Sequence, residues 1–206
     1  MNITSLLEEK ICVSLPLLNN IGREIEEANN CLQMYFDCLH DEGFHDASDD
    51  SLIYAIKHLA SCAELLVKFR LMEEHWAFVF ENVNKANESD LENGDFISVG
   101  FKQGVERLFN LCNINETLVN CLQLYKLRNK AQHFSIEESL EKILEVLFRS
   151  SDEIYLFTKF QVIPYLKNES AISDFKSMFD ELREYANALK QIYDSLDISS
   201  RCASFS

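Results

Sequence analysis

Five glycines and two prolines in 206 residues leave this chain few places to turn tightly, and a many-stranded sheet needs such turns often. That scarcity favours long helices. The apolar spacing agrees: Leu18, Ile21, Ile25, Ala28, Leu32, Tyr35 or Phe36, and Leu39 advance in steps of three and four, one face of a helix of about six turns. Ile3 to Leu15 reads as a shorter helix before it, with Pro16 beginning or kinking the next. The acidic run from His40 to Asp50 ends the long helix and supplies caps for its successor.

Apolar positions from Leu52 through Trp76, Phe80 and Val83 predict a second long helix, crowded enough near 65–72 to be buried on more than one side. Residues 84–95 read as a loop, Val99 to Cys112 as a third helix, and Asn113 or Asn115 as the cap of a fourth reaching Arg128. Ser135-Ile136-Glu137-Glu138 fits a capping box, so a further helix is expected after Phe134. Pro164 interrupts the chain before the last helix. That helix carries Phe175, Phe179, Leu182, Ala186, Leu189, Tyr193 and Leu196, with a frayed tail from Ser199. The expected fold is therefore all-α: an antiparallel helical bundle, one domain over residues 1–206. The first and last long helices either pack on each other or form a dimer seam.

The net charge of −15 argues against a general nucleic-acid coat protein or a membrane-surface binder, which would be basic. Nucleic-acid chemistry on such a chain has to be local. The start Met1-Asn2-Ile3-Thr4-Ser5 lacks the basic opening and apolar run of a secretion signal, and no stretch has the length of a membrane span. A cytoplasmic protein is expected, with no membrane partner. Its seven cysteines would then be reduced, and none stands in a CxxC pair, so ordinary buried thiols are expected. His40, Asp41, His45, Asp46, Asp49 and Asp50 have metal-ligand chemistry without regular ligand spacing.

The segment with the most chemistry is Arg128-Asn129-Lys130-Ala131-Gln132-His133. An Arg with a His five positions on also occurs at Arg70 and His75, so the spacing alone says little. Requiring Asn directly after the Arg lowers the chance expectation to roughly one in twenty-five, and only Arg128 passes. The residue types suit RNA cleavage by the neighbouring 2′-hydroxyl. An imidazole such as His133 can take or give a proton near neutral pH. The Arg128 guanidinium keeps its charge and offers a planar fork to two phosphate oxygens. Asn129 would orient the scissile group or hold Arg128. The plain alternative is a helix end carrying a cation and a surface imidazole, both favoured by the helix dipole. Between Glu116 and Glu137 no acidic residue occurs, while Lys126, Arg128, Lys130 and His133 do.

This motif resembles that of the HEPN superfamily of helical domains, whose ribonuclease members carry Arg, commonly a polar residue such as Asn, and then His. Glu64-Leu65-Leu66-Val67-Lys68 looks like the early helix of many such domains. The resemblance covers roughly residues 50–150, which leaves 1–49 and 151–206 as helical extensions. It implies a metal-independent endoribonuclease with no cofactor, with Arg128, Asn129 and His133 as catalytic residues, acting as a homodimer whose two motifs face one cleft. It further implies RNA as substrate and a toxin or defence role with an antitoxin partner. The related modification target, a Tyr two positions after the His, is absent: Ser135 stands there. Five residues apart on one regular helix, Arg128 and His133 would diverge by roughly 140°. Either the helix ends inside the motif or two subunits share the site. The alternative function is a non-catalytic dimerisation or protein-interaction module.

Overall fold

The computed structural model describes residues 3–40, 45–114, 118–133 and 138–203, with side chains over 17–39, 50–114, 118–132 and 138–196. Among these residues the fold is all-α, as expected. Helix α1 spans Ile3–His40, α2 His45–Glu74, α3 Glu88–Asn93, α4 Phe101–Cys112, α5 Val119–His133, α6 Leu140–Phe157 and α7 Glu169–Ala203. The acidic cluster from His40 to Asp49 and the Ser135 to Glu137 part of the expected capping box lie outside the described side chains.

The face read from the spacing of α1 is the buried one. Ile21, Ile25, Ala28, Leu32 and Tyr35 are all buried, and Tyr35 rather than Phe36 takes the core position. Each large aliphatic on that face contributes about 1.5–3 kcal/mol by leaving water. Pro16 neither starts nor ends the helix, which runs through it from Ile3. A proline inside a helix forfeits one backbone hydrogen bond, and the continuing apolar face outweighs that loss.

Helix α2 is the axis of the molecule. Leu52, Ile56, Leu59, Ala63 and Leu66 are buried, and so are Cys62, Val67, Phe69 and Leu71 on other sides, because α1, α4, α5 and α6 all pack on it. A Cβ on Gly104 would come 2.7 Å from Val67 Cγ1, so glycine sets how closely α4 approaches α2. The expected continuation to Val83 is wrong: α2 stops at Glu74. His75 is extended, and its Nδ1 accepts a hydrogen bond from the Ala77 amide at 3.2 Å, capping a 3₁₀ turn over Trp76–Val79. The chain then forms a single antiparallel bridge between Phe80 and Ser98. The stretch read as loop holds the short helix α3, capped by Asn87 through the Asp90 amide at 2.8 Å and ended by Gly94 at φ 74°.

Asn113 closes α4 in the left-handed region (φ 54°), and Asn115, the other candidate cap for the next helix, lies outside the described residues. Helix α6 starts at Leu140 under Ser139, whose Oγ accepts from the Lys142 amide at 3.2 Å, so the cap is four residues later than Ser135. The N-terminus of α5 is capped from across the fold. Glu153 of α6 accepts from the amides of Asn120 at 2.9 Å and Cys121 at 3.0 Å. That carboxylate, together with buried Leu118, Cys121, Leu124 and Leu127, fixes the rotation of α5 and hence the direction of Arg128.

After α6 a π turn (Thr158–Val162) and a 3₁₀ turn holding Pro164 lead to α7, which stays helical to Ala203. Phe175, Phe179, Leu182, Ala186 and Leu189 are buried as the heptad-like spacing predicts, whereas Leu196 is exposed. Helices α1 and α7 pack on each other within one chain. Asn29 donates to the Met178 carbonyl at 3.0 Å, and Phe36 stacks on Tyr185 at 5.9 Å.

Candidate functional site

Helix α5 carries the whole motif on one continuous helix through His133. His133, the last residue of the motif, is also the last described residue of α5, and the four residues after it lie outside the described ones. The His133 side chain lies outside the described residues. Arg128 and Asn129 are described and half-buried. Arg128 Nη1 donates to Asn129 Oδ1 at 3.2 Å, and the guanidinium lies 5.3 Å from the centre of the Tyr125 ring. Asn129 thus holds Arg128, one of the two roles its type allowed. No carboxylate among the described residues lies within ion-pair distance of Arg128.

Arg128 opens into a groove of about 650 Å³ between α1, α2 and α5. From α1 the lining is Asn20, Arg23, Glu24 and Glu27; from α2 it is His58, Ser61, Glu64 and Leu65. Arg23 is bonded to Asn20 Oδ1, again a neutral amide oxygen. His58 Nδ1 lies 2.9 Å from Glu24 Oε2. An ionised carboxylate only accepts, so Nδ1 carries the proton and Nε2 is the basic nitrogen of the neutral ring. Among the described residues no other hydrogen bond reaches the imidazole, which is about one-third exposed (31%).

Glu64 and Lys68 form the expected i to i+4 ion pair at 2.7 Å, and Lys68 also donates to Ser98 Oγ at 2.9 Å. Glu64 lines the groove as well, so the pair is both a helix-surface bridge and part of the groove wall. With Lys68 included, Arg23 and Arg128 balance Glu24, Glu27 and Glu64. The groove is thus near neutral on a chain of net charge −15, which is a local relief of acidity rather than a basic cleft. Lys130 of the acid-free stretch pairs with Glu138 at 2.5 Å and does not line the groove.

The second Arg and His match behaves differently. Arg70 is buried, paired with Glu74 and packed 4.2 Å over the Tyr165 ring, while exposed His75 caps the 3₁₀ turn. These residues serve packing and capping. The thiols behave as buried cysteines in part: Cys62 and Cys121 are buried, and burial pushes both well above the ordinary thiol range. Cys31, Cys38 and Cys112 are half-buried.

Arg23, Glu24, His58 and Ser61 did not stand out in the sequence. A signal for them exists. Asn20, Arg23, Glu24 and Glu27 recur at helical spacing directly beside the buried stripe of α1, as His58, Ser61 and Glu64 do on α2. What the sequence does not carry is that these two polar stripes face each other.

The fold and site define an all-α bundle with an open polar groove that gathers two guanidinium groups and a carboxylate-bound imidazole. Comparison with family models, curated proteins and solved structures finds no match. Among the described residues no helix is long and apolar enough to cross a membrane.

Proposed function

We propose that this chain is a HEPN-like, metal-independent endoribonuclease that cleaves RNA by attack of the 2′-hydroxyl on the adjacent phosphorus. Arg128 holds the phosphate, Asn129 positions Arg128, and His133 serves as acid/base. The observation that carries this reading is the state of Arg128: a half-buried guanidinium at an open groove, bonded to a neutral amide although three carboxylates line the same groove. A cation with no carboxylate partner among the described residues can take a phosphate in bidentate fashion. In this reading the active form is a homodimer whose two motifs face one cleft, as the resemblance implies, and His133 reaches the phosphate there. A cytoplasmic toxin or defence role, with an antitoxin partner restraining it, fits an acidic exterior around one local phosphate site.

The test is incubation of RNA with purified protein in EDTA. Cleavage should fall at least 100-fold in Arg128→Ala and in His133→Ala and stay intact in His75→Ala. Full activity in both motif variants removes the proposal. The second reading, a non-catalytic interaction module, is favoured by exposed Phe109 and Leu111 on α4. It predicts no cleavage by the wild-type chain, together with stable capture of one defined partner that Phe109→Ser releases.

A further inference from the structure

We propose that His58, oriented by Glu24, is the general base of the groove and acts in the same chain as Arg128. This inference rests on the nuclease reading above and assigns the base within it. Three observations carry it. His58 lines the same groove as Arg128 and Arg23, so an imidazole and two guanidinium groups face one groove of a single chain. Its Nδ1 lies 2.9 Å from Glu24 Oε2, and in the neutral ring that bond puts the proton on Nδ1 and leaves the lone pair on Nε2. The ring is about one-third exposed, with no second partner among the described residues, so Nε2 is open to a substrate hydroxyl.

Helices α1 and α2 present Glu24 and His58 to the same groove that α5 lines with Arg128. A carboxylate behind an imidazole orients the ring and stabilises the imidazolium that forms when it takes a proton. Glu24 is accordingly a positioning residue.

The step balances within the substrate and the two imidazoles. His58 Nε2 removes the 2′-hydroxyl proton as the 2′-oxygen bonds to phosphorus. The bond from phosphorus to the 5′-oxygen breaks, and that oxygen takes a proton from His133 of a second copy. The products are a 2′,3′-cyclic phosphate and a free 5′-hydroxyl. Arg128 and Arg23 offset the charge gathering on the phosphate oxygens.

The experiment compares wild type, His58→Ala, Glu24→Gln and His133→Ala on RNA with an ordinary 5′-oxygen and on RNA with a bridging 5′-sulfur, a leaving group that needs no acid. Thermal unfolding checks that each variant folds. His58→Ala should lose at least 100-fold in kcat on both substrates with KM within about threefold, and free imidazole should restore part of that loss. Glu24→Gln should lose about tenfold in kcat. His133→Ala should be defective on the oxygen substrate and recover on the sulfur one. Activity within threefold of wild type in folded His58→Ala overturns the assignment and leaves the nuclease reading standing, as does a His58→Ala defect that the sulfur substrate relieves. A wild-type chain that cleaves neither substrate overturns both.

Discussion

Two arginines in this chain stand five residues before a histidine, and the fold treats them in opposite ways. Arg70 sits under the turn that succeeds α6: its side chain is 5% exposed, bonded to Glu74, 3.4 Å from Gln161 Oε1 and packed on Tyr165. Arg128 lines the groove, half-buried, held among the described residues by the Asn129 amide, with its guanidinium 5.3 Å from the Tyr125 ring centre. The sequence signal is the same; the supply of partners is not. A guanidinium whose charge and plane are already used contributes to stability, and one held by a neutral group has its charge in reserve for a ligand. What separates a structural cation from a candidate site is therefore the partner brought from elsewhere in the fold.

Exchanging the effects of the two arginines is the strongest way to break this comparison. Arg128→Ala should reduce cleavage at least 100-fold while changing stability by no more than about 0.5 kcal/mol, as for a substitution away from the core. Arg70→Ala should do the reverse. It removes a packed stem and a ring contact and leaves a cavity, and should lower unfolding free energy by about 2–4 kcal/mol. Urea denaturation midpoints beside cleavage rates measure both. Equal stability losses in the two variants would mean that Arg128 is a packing residue and the contrast is empty.

A smaller effect is expected at Glu153, which bears on the contrast indirectly because it sets the rotation of α5. Glu153→Gln keeps the shape but replaces a charged cap on the Asn120 and Cys121 amides with a neutral one. A loss of about 1–2 kcal/mol is expected from the weakened charged hydrogen bonds. Cleavage should fall by more than the unfolded fraction explains, since Arg128 is aimed from that end of the helix. A stability loss with unchanged specific activity would show that the buried face of α5 alone orients Arg128.

What was legible in the sequence divides along the same line. The all-α class, the buried faces of α1 and α7 and the two-sided burial of α2 come from spacing along one helix. Arg128 and Asn129 stood out because their signal is contiguous. The end of α2 at Glu74 was hidden because its stop signal is an extended His75 rather than a glycine or proline. The start of α6 was misplaced because Ser135 and Ser139 both offer a cap and local pattern does not choose between them. The groove itself was illegible: Glu24 and His58 are 34 residues apart and meet only because the apolar stripes of α1 and α2 are packed together. Helical periodicity identifies a face, and only tertiary packing says which two faces meet.

The smallest effect lies at the α1 and α7 seam, where occupancy and burial part company. Tyr185 is occupied like Arg70 but only partly covered, with its hydroxyl 2.8 Å from Gln33 Oε1 and 3.3 Å from Glu181 Oε1. Burial, then the neighbouring Glu181 charge, pushes the phenol up to about 12 from its ordinary 10. The folded state thus keeps this proton at pH values where the unfolded chain has lost it, so stability from this group is present below about pH 10 and is lost as pH rises toward 12. Tyr185→Phe should cost little at neutral pH, because the hydroxyl bonds are solvent-exposed and screened. It should also flatten the fall in denaturation midpoint between pH 10 and 12. A variant whose alkaline slope matches wild type would mean that the hydroxyl is as well solvated folded as unfolded, and that covering, not occupancy, decides which polar groups this fold depends on.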